Sequence, residues 1–301
     1  MLQRLLVATL PLVPTIIMRR LSAKYIAGEA LEDALLRLED LGRAGYPGVI
    51  DLLGEEVSED AAADAAAQEY IRAAEGLAER SIDAYVSIKP THLGLTLDSE
   101  RCLARYREVA ERCQQLNQRL RVEMEDTRFT DATLSLYEKL RSSHSNCGIV
   151  VQARLFRTLD DIAALSEGEH DVRLVKGIYL EPAEIAHTDP AAISDAYMSC
   201  AEALLARGAT VSFATHDEHL VRRLGEVIES ADAASRCELQ VLDGVRASFW
   251  SGWRDGAAGV PGQTLRVYVP YGPDWRAYSI RRMRKNPQMF RAVTKSLIFG
   301  D

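Results

Sequence analysis

The sequence predicts an α/β chain in which eight β-strands alternate with helices and close into a (β/α)8 barrel. Three observations carry that expectation. Short apolar runs alternate with amphipathic stretches eight times along the chain, and strands separated by helices pair in parallel. The length of 301 residues suits one barrel of about 250 residues plus an extension. Neither G-x-G-x-x-G nor G-x-x-x-x-G-K-[ST] occurs, which disfavours the open dinucleotide-binding and P-loop sheets. The expected organisation is one barrel domain over residues 1–301, with 1–46 as an N-terminal helical arm.

The elements follow in order. Residues 1–18 are largely apolar, but Pro11 and Pro14 break the run, no A-x-A site follows, and Arg19-Arg20 leads into an amphipathic helix. The segment reads as a packed arm, neither an export signal nor a membrane span. From Gly28 to Gly45, Leu31, Leu35, Leu38 and Leu41 recur at helical spacing. Gly48 to Gly54 is a short apolar strand, and Asp60 to Arg80 an alanine-rich helix. Ala84 to Lys89 is the second strand, followed by a loop over 90–94 and a helix from Ser99 to Asn117. Arg119 to Asp126 alternates as the third strand and ends in two acids. A helix over 131–141, a buried strand over 148–152 and a helix over 159–165 come next. Val172 to Gly177 is the fifth strand. A helix over 190–206, a strand over 209–214 running into Thr215-His216, and a helix to Ser230 follow. Glu238 to Leu242 is the seventh strand, with a short helix over 245–253. Leu265 to Val269 is the eighth, stopped by Pro270, with Gly272-Pro273-Asp274 turning into a last helix. Asn286-Pro287 is the stop signal.

Composition narrows the function. The chain is 47% hydrophobic and 27% charged, as globular proteins are. A net charge of −8 argues against a nucleic-acid partner. Five cysteines (Cys102, Cys113, Cys147, Cys200, Cys237) include no C-x-x-C pair. They read as free thiols in a reducing compartment, with no structural metal site.

Chemistry concentrates at two places. Trp275, Tyr278 and Arg282 stand at i, i+3 and i+7 of the last helix, with Arg281 beside Arg282. Adjacent guanidiniums suit a carboxylate or phosphate, because the planar fork donates parallel hydrogen bonds. A solvated basic helix with two buried aromatics fits the same spacing. In a (β/α)8 barrel the site lies at the C-terminal strand ends. Those ends carry Lys89, Glu125 and Asp126, Gln152, Lys176, Thr215 and His216, Leu242 and Tyr268, with Arg173 inside its strand. Singly, each has a plain structural role open to it: an ion-pair partner for Lys89 or Lys176, a helix cap for His216. Gln152, ending an apolar strand, is harder to explain without a partner.

The blocks Val172-Arg-Leu-Val-Lys-Gly-Ile-Tyr-Leu-Glu-Pro182, Phe213-Ala-Thr-His216 and Tyr268-Val-Pro-Tyr-Gly-x-x-Trp-x-x-Tyr-x-x-Arg-Arg282 resemble the signatures of proline dehydrogenases. Ile26 to Glu29, Ser87 to Lys89 with Leu93-Gly94, Met124 to Asp126 and Val150 to Gln152 support them in the family's order. The resemblance spans nearly the whole chain and is to the monofunctional bacterial type. It implies a distorted barrel holding FAD non-covalently, with the last helix over the barrel mouth. It implies oxidation of L-proline to Δ1-pyrroline-5-carboxylate by hydride transfer from ring C5 to flavin N5, the first step of proline catabolism. Electrons then pass to a quinone. A cytoplasmic enzyme with peripheral membrane contact, and transient contact with pyrroline-5-carboxylate dehydrogenase, complete the implied setting.

Carried over by position, Arg281 and Arg282 bind the substrate carboxylate. Tyr278 and Tyr268 pack on its ring with Leu242 nearby, and Lys89 pairs with the carboxylate and with Asp126. Asp126 and Arg173 are the implied catalytic pair. Arg173, Gln152, Lys176, Gly177, Ile178, Thr215 and His216 contact FAD, and Thr127 contacts it through backbone. Two positions depart from the family pattern: Ile178, where an alanine is usual, and Lys285, where an acid is usual. Ile178 is expected to crowd the pocket. Two other readings of the same residues stand beside this one: a Schiff-base barrel using Lys89 or Lys176, and a non-catalytic barrel binding an anion at the Arg pair.

Overall fold

A computed structural model describes residues 14–256 and 263–285, the side chains of 17, 21 and 281–285 excepted. Eight parallel strands form a closed barrel in sequence order. They are β1 (Gly48–Leu52), β2 (Ala84–Ile88), β3 (Leu120–Val122), β4 (Cys147–Gln152), β5 (Asp171–Val175), β6 (Thr210–Ala214), β7 (Cys237–Leu242) and β8 (Thr264–Tyr271). Closure pairs Gly48 with Val267 and Leu52 with Tyr271. The helices are α1 (Thr15–Ser22), α2 (Leu31–Arg43), α3 (Asp60–Glu79), α4 (Ser99–Gln115), α5 (Thr130–Arg141), α6 (Thr158–Ala164), α7 (Pro190–Ala206), α8 (Glu218–Ser230), α9 (Trp250–Arg254) and α10 (Trp275–Lys285).

Local chemistry sets these elements. Asp98 caps α4 by accepting from the N–H groups of Glu100 and Arg101, and Asp217 caps α8 through His219 and Leu220. Asp189 caps α7, with Pro190 at its first position. The alanines of α3 bury one face together with Tyr70 and Leu77, and small residues let that helix lie close on the sheet. The five cysteines are buried free thiols. Among the described residues, no helix is long and apolar enough to cross a membrane.

The structure differs from the sequence-based expectation at four places that matter for the site. The segment expected as an arm is partly barrel wall: α2 packs against β8 and β1, the position a helix following β8 usually fills. The strand over 119–126 is paired only from Leu120 to Val122, so Glu125 and Asp126 stand above its end. Pro270 does not stop β8, which runs on to Tyr271. Register with β7 ends at Tyr268, so the side lacking an N–H faces no strand. The Pro270 carbonyl accepts from Ala27 N–H at 2.9 Å instead. Finally, α10 begins at Trp275, after Pro273 and Asp274. The Asn286-Pro287 stop lies outside the described residues.

Freed from the wall position, α10 crosses to α1. Ser279 Oγ meets Ser22 Oγ at 2.6 Å, and Trp275 Nε1 donates to Glu29 at 2.9 Å. Met18, Tyr25, Ile26, Leu53, Leu242 and Trp275 form an apolar cluster there, with Tyr268 and Tyr278 packed on it. Because Leu242 and Tyr268 lie at or near the C-terminal ends of β7 and β8, the cluster seats α10 over the barrel mouth.

Candidate active site

The barrel interior is polar and charged where most such barrels are aliphatic. Arg173 on β5, 3% exposed, lies at its centre. Its Nε donates to Gln240 Oε1 at 2.6 Å, and Nη1 reaches Ser87 Oγ at 3.3 Å and forms an ion pair with Glu123. The guanidinium carbon lies 5.0 Å from the Tyr268 ring centroid. The Tyr268 hydroxyl donates to Glu123 at 3.1 Å. Burial is the largest single influence on each, lowering the Arg173 pKa and raising that of Glu123; Glu123 with Tyr85 and Tyr268 outweighs it at Arg173, and Arg173 with Lys89, Ser87 and Tyr268 outweighs it at Glu123. The pair is therefore ionised.

Lys89 follows β2. Its Nζ lies 2.8 and 3.0 Å from the two carboxylate oxygens of Asp51 on β1. Here the structure corrects an expectation: Asp51 is the partner assigned to Lys89, where Asp126 was expected. Asp126 caps the 3-10 turn of Thr127–Phe129 and pairs with Arg128 at 2.7 Å on the rim. The cause is the early end of β3, which lifts Asp126 away from the strands. Burial would lower the Lys89 pKa, yet Asp51 and Glu123 raise it. Burial pushes Asp51 upward against the pull of Lys89; two hydrogen bonds to one Nζ are the geometry of a carboxylate with an ammonium.

Above this layer, strand-end groups form an arc. Gln152, 3% exposed, donates to the Glu125 carbonyl at 2.7 Å. The Glu125 carboxylate accepts from Thr91 N–H and Oγ, at 2.9 and 2.6 Å, tying the loop after Lys89 to β4. Burial pushes the Glu125 pKa up to about 7. Lys176 Nζ binds Asp217 at 2.7 Å and Ser194 at 3.0 Å. Thr215 Oγ accepts from Asp217 N–H. His216 Nε2 accepts from Leu242 N–H at 3.2 Å, which leaves the ring proton on Nδ1. Thr127 gives both its N–H and its hydroxyl to Glu181, clasping the loop after β5.

Gly177 turns that loop at φ +92°. Ile178 beyond it is 64% exposed: the turn carries the side chain out of the packed core. Tyr278 acts electrostatically on both Lys89 and Tyr268, which places its ring near the same mouth. The side chains of Arg281, Arg282 and Lys285 lie outside the described residues; their backbone continues α10.

The fold thus gathers Lys89, Arg173, Leu242, Tyr268 and Tyr278 at one opening, and sets Asp126, Thr127, Lys176 and Ile178 around its rim. Sequence reasoning missed Asp51, Glu123, Gln240 and Tyr85. Alternation within the strands was a usable signal, since Tyr85 shares a face with Ser87, and Gln240 with Glu238 and Leu242. A cavity of about 700 Å³ lined by Ser81, Asn117 and Arg119 and reaching Tyr85 opens at the opposite, N-terminal end of the strands.

Comparison with known proteins agrees with the geometry. The proline dehydrogenase family model matches residues 34–294. Proline dehydrogenase 1 of Bacillus subtilis subsp. natto is 32% identical over 281 residues, 93% of this chain and 91% of its own. Proline dehydrogenase of Deinococcus radiodurans is 30% identical over 289 residues, 94% and 92% of the two chains. Among solved structures, proline utilization A from Bdellovibrio bacteriovorus, inactivated by N-propargylglycine, matches with a TM-score of 0.80 at 22% identity. That alignment covers 87% of this chain and 32% of the other, and the likeness is one of fold. The chain belongs to the proline dehydrogenase family and is an enzyme of proline oxidation.

Proposed function

We propose that the enzyme converts L-proline to Δ1-pyrroline-5-carboxylate by hydride transfer from ring C5 to N5 of a non-covalently held FAD, and that a quinone accepts the electrons. The observation that carries this reading is the buried Arg173–Glu123–Tyr268 cluster beside Lys89, roofed by the aromatic face of α10.

The residues present fit such a cofactor. Arg154 follows β4, and its backbone N–H bonds to the Lys176 carbonyl. Its Nε is buried without a hydrogen-bond partner, it forms no salt bridge among the described residues, and burial lowers its pKa. Arg154 Nη1 donates to the Tyr179 carbonyl and Glu181 attracts the guanidinium less than burial penalises it, so this half-buried cation beside Gly177 keeps Nε for a diphosphate. Gln152, Arg173, Lys176, Thr215 and His216 would hold the rest, with Gly177, Ile178 and Thr127 alongside. When bound, FAD supplies the two-electron acceptor that no side chain can.

The chain's own groups do the positioning. Lys89, kept cationic by Asp51, meets the proline carboxylate together with Arg281 and Arg282, fixing an anionic substrate in one orientation. Tyr268, Tyr278 and Leu242 cover its apolar ring. Arg173, rigid between Glu123 and Gln240, presents fixed positive charge where negative charge grows on reduction. Asp126 stands on the rim, paired with Arg128. The product would pass to a pyrroline-5-carboxylate dehydrogenase, and the quinone would be met at a membrane surface. A Schiff-base role for Lys89 is disfavoured, because that chemistry needs a neutral amine and Asp51 holds an ammonium.

The purified protein should be yellow, bleach with L-proline without oxygen, release FAD on denaturation and reduce a soluble quinone analogue. A colourless protein that takes up no added FAD refutes the reading.

A further inference from the structure

Tyr85, on β2, is 1% exposed and points into the barrel's centre. Its hydroxyl oxygen lies 2.8 Å from Gln240 Nε2, 3.3 Å from Arg173 Nη2 and 3.4 Å from Arg121 Nη2. Guanidinium nitrogens only donate, and so does an amide nitrogen. The Gln240 amide cannot be turned to offer its oxygen. Oε1 already accepts from Arg173 Nε at 2.6 Å, and Nε2 donates to Glu238 Oε1 at 2.6 Å. Swapping the two would set donor against donor and acceptor against acceptor. A phenolic proton on Tyr85 therefore has no acceptor among the described residues.

The surrounding charge points the same way. Arg119, Arg266 and Arg121 lie 4.4, 5.3 and 5.6 Å from the centroid of the Tyr85 ring, and Arg173 reaches its hydroxyl. Facing these four guanidiniums are the carboxylates of Asp171 on β5, Glu238 on β7 and Glu123 above β3. Asp83 touches Arg266 only from a side chain 78% exposed. The neutral groups nearby are Ser87 on β2 and Ser212 on β6; the latter donates to Glu238. Three buried guanidiniums and one, Arg119, that is 30% exposed thus face three largely buried carboxylates. Unbalanced buried charge is costly.

We propose that Tyr85 is a phenolate at neutral pH, a further anion among these guanidiniums, and that it is a positioning residue holding Arg173 from below. Burial and Glu238 push its pKa up, while Arg121, Arg173 and Arg119 pull it down and prevail. The charge state follows from the barrel alone; only its consequence for a flavin rests on the function proposed above.

The experiment is ¹³C NMR of the holoenzyme carrying tyrosine labelled at the ring carbon that bears the hydroxyl. Among the eleven tyrosines, one should show the downfield phenolate resonance at pH 7, and Tyr85→Phe should lose it. Gln240→Glu gives the hydroxyl an acceptor and a repelling charge; it should return Tyr85 to the neutral phenol and erase the signal with the tyrosine still present. This second variant also stands in if Tyr85→Phe fails to fold. Eleven neutral phenols in the wild type, or a phenolate that survives either substitution, overturn the proposal. In the flavin-loaded protein, Tyr85→Phe leaves one extra positive charge under Arg173 and should shift the flavin midpoint potential upward. An unchanged potential overturns the positioning role toward the flavin, whatever the resonance shows.

Discussion

Replacing Asp51 with asparagine isolates the ion pair that sets the charge of the substrate opening. Asp51 is 1% exposed and Lys89 12%, so neither is solvated by bulk water. Asparagine keeps the shape and one oxygen acceptor but removes the charge facing Nζ. Removing one partner of a buried pair costs about 3–5 kcal/mol, because the other charge stays buried and uncompensated. Glu123 also favours the Lys89 ammonium and one oxygen remains, so the loss belongs near the lower end, about 3 kcal/mol. The sign in pH follows from the raised Lys89 pKa. On the lysine side the pair's contribution is complete below the unfolded value of about 10.5 and fades as pH rises through the higher folded value; on the acid side it fades as pH falls through the raised value of Asp51. At pH 7 the full effect should appear. Urea unfolding should show a lower midpoint for Asp51→Asn with an unchanged slope. Lys89→Met combined with Asp51→Asn should cost clearly less than the two single losses added together. An Asp51→Asn midpoint equal to wild type, or strictly additive losses, would refute the pairing and the claim that Asp51 keeps Lys89 cationic.

Four other substitutions have definite outcomes. Arg281→Met and Arg282→Met should each lower kcat/KM for proline roughly ten- to a thousandfold, from about 1.5–3 kcal/mol per charged hydrogen bond and more where the partner stays buried. Their flavin spectra should be retained, and normal proline oxidation by both would remove the Arg pair from the site. Glu125, raised to about 7 from an ordinary 4.5, makes the fold bind a proton more tightly than the unfolded chain. Stability gained from it is complete below pH 4.5 and lost as pH rises to about 7, on the order of 3 kcal/mol. The stability difference between wild type and Glu125→Gln should therefore shift toward the variant between pH 5 and pH 8; a constant difference contradicts the raised value. Ile178→Ala should leave the unfolding free energy within about 0.5 kcal/mol, as at exposed positions generally, and a large gain would restore the crowding that its 64% exposure argues against.

Hydrophobic periodicity is a local property, and it determined the eight strand–helix units, hence the barrel and the end of it where Lys89, Gln152, Lys176, Thr215-His216 and Leu242 project. Motif spacing along α10 likewise placed Trp275 and Tyr278 on the helix that covers the mouth. Pairing across the barrel is not local. Lys89 meets Asp51 across 38 residues and Arg173 meets Glu123 across 50, so only barrel closure and strand register could assign those partners. The short pairing of β3, which moved Asp126 to the rim, depends on where β2 and β4 stop hydrogen bonding, and no signal within 119–126 reports that. The same holds for Tyr85. In sequence it is one aromatic in an apolar strand, and it faces Arg121, Arg173 and Gln240 only because three distant strands turn those side chains inward at its height.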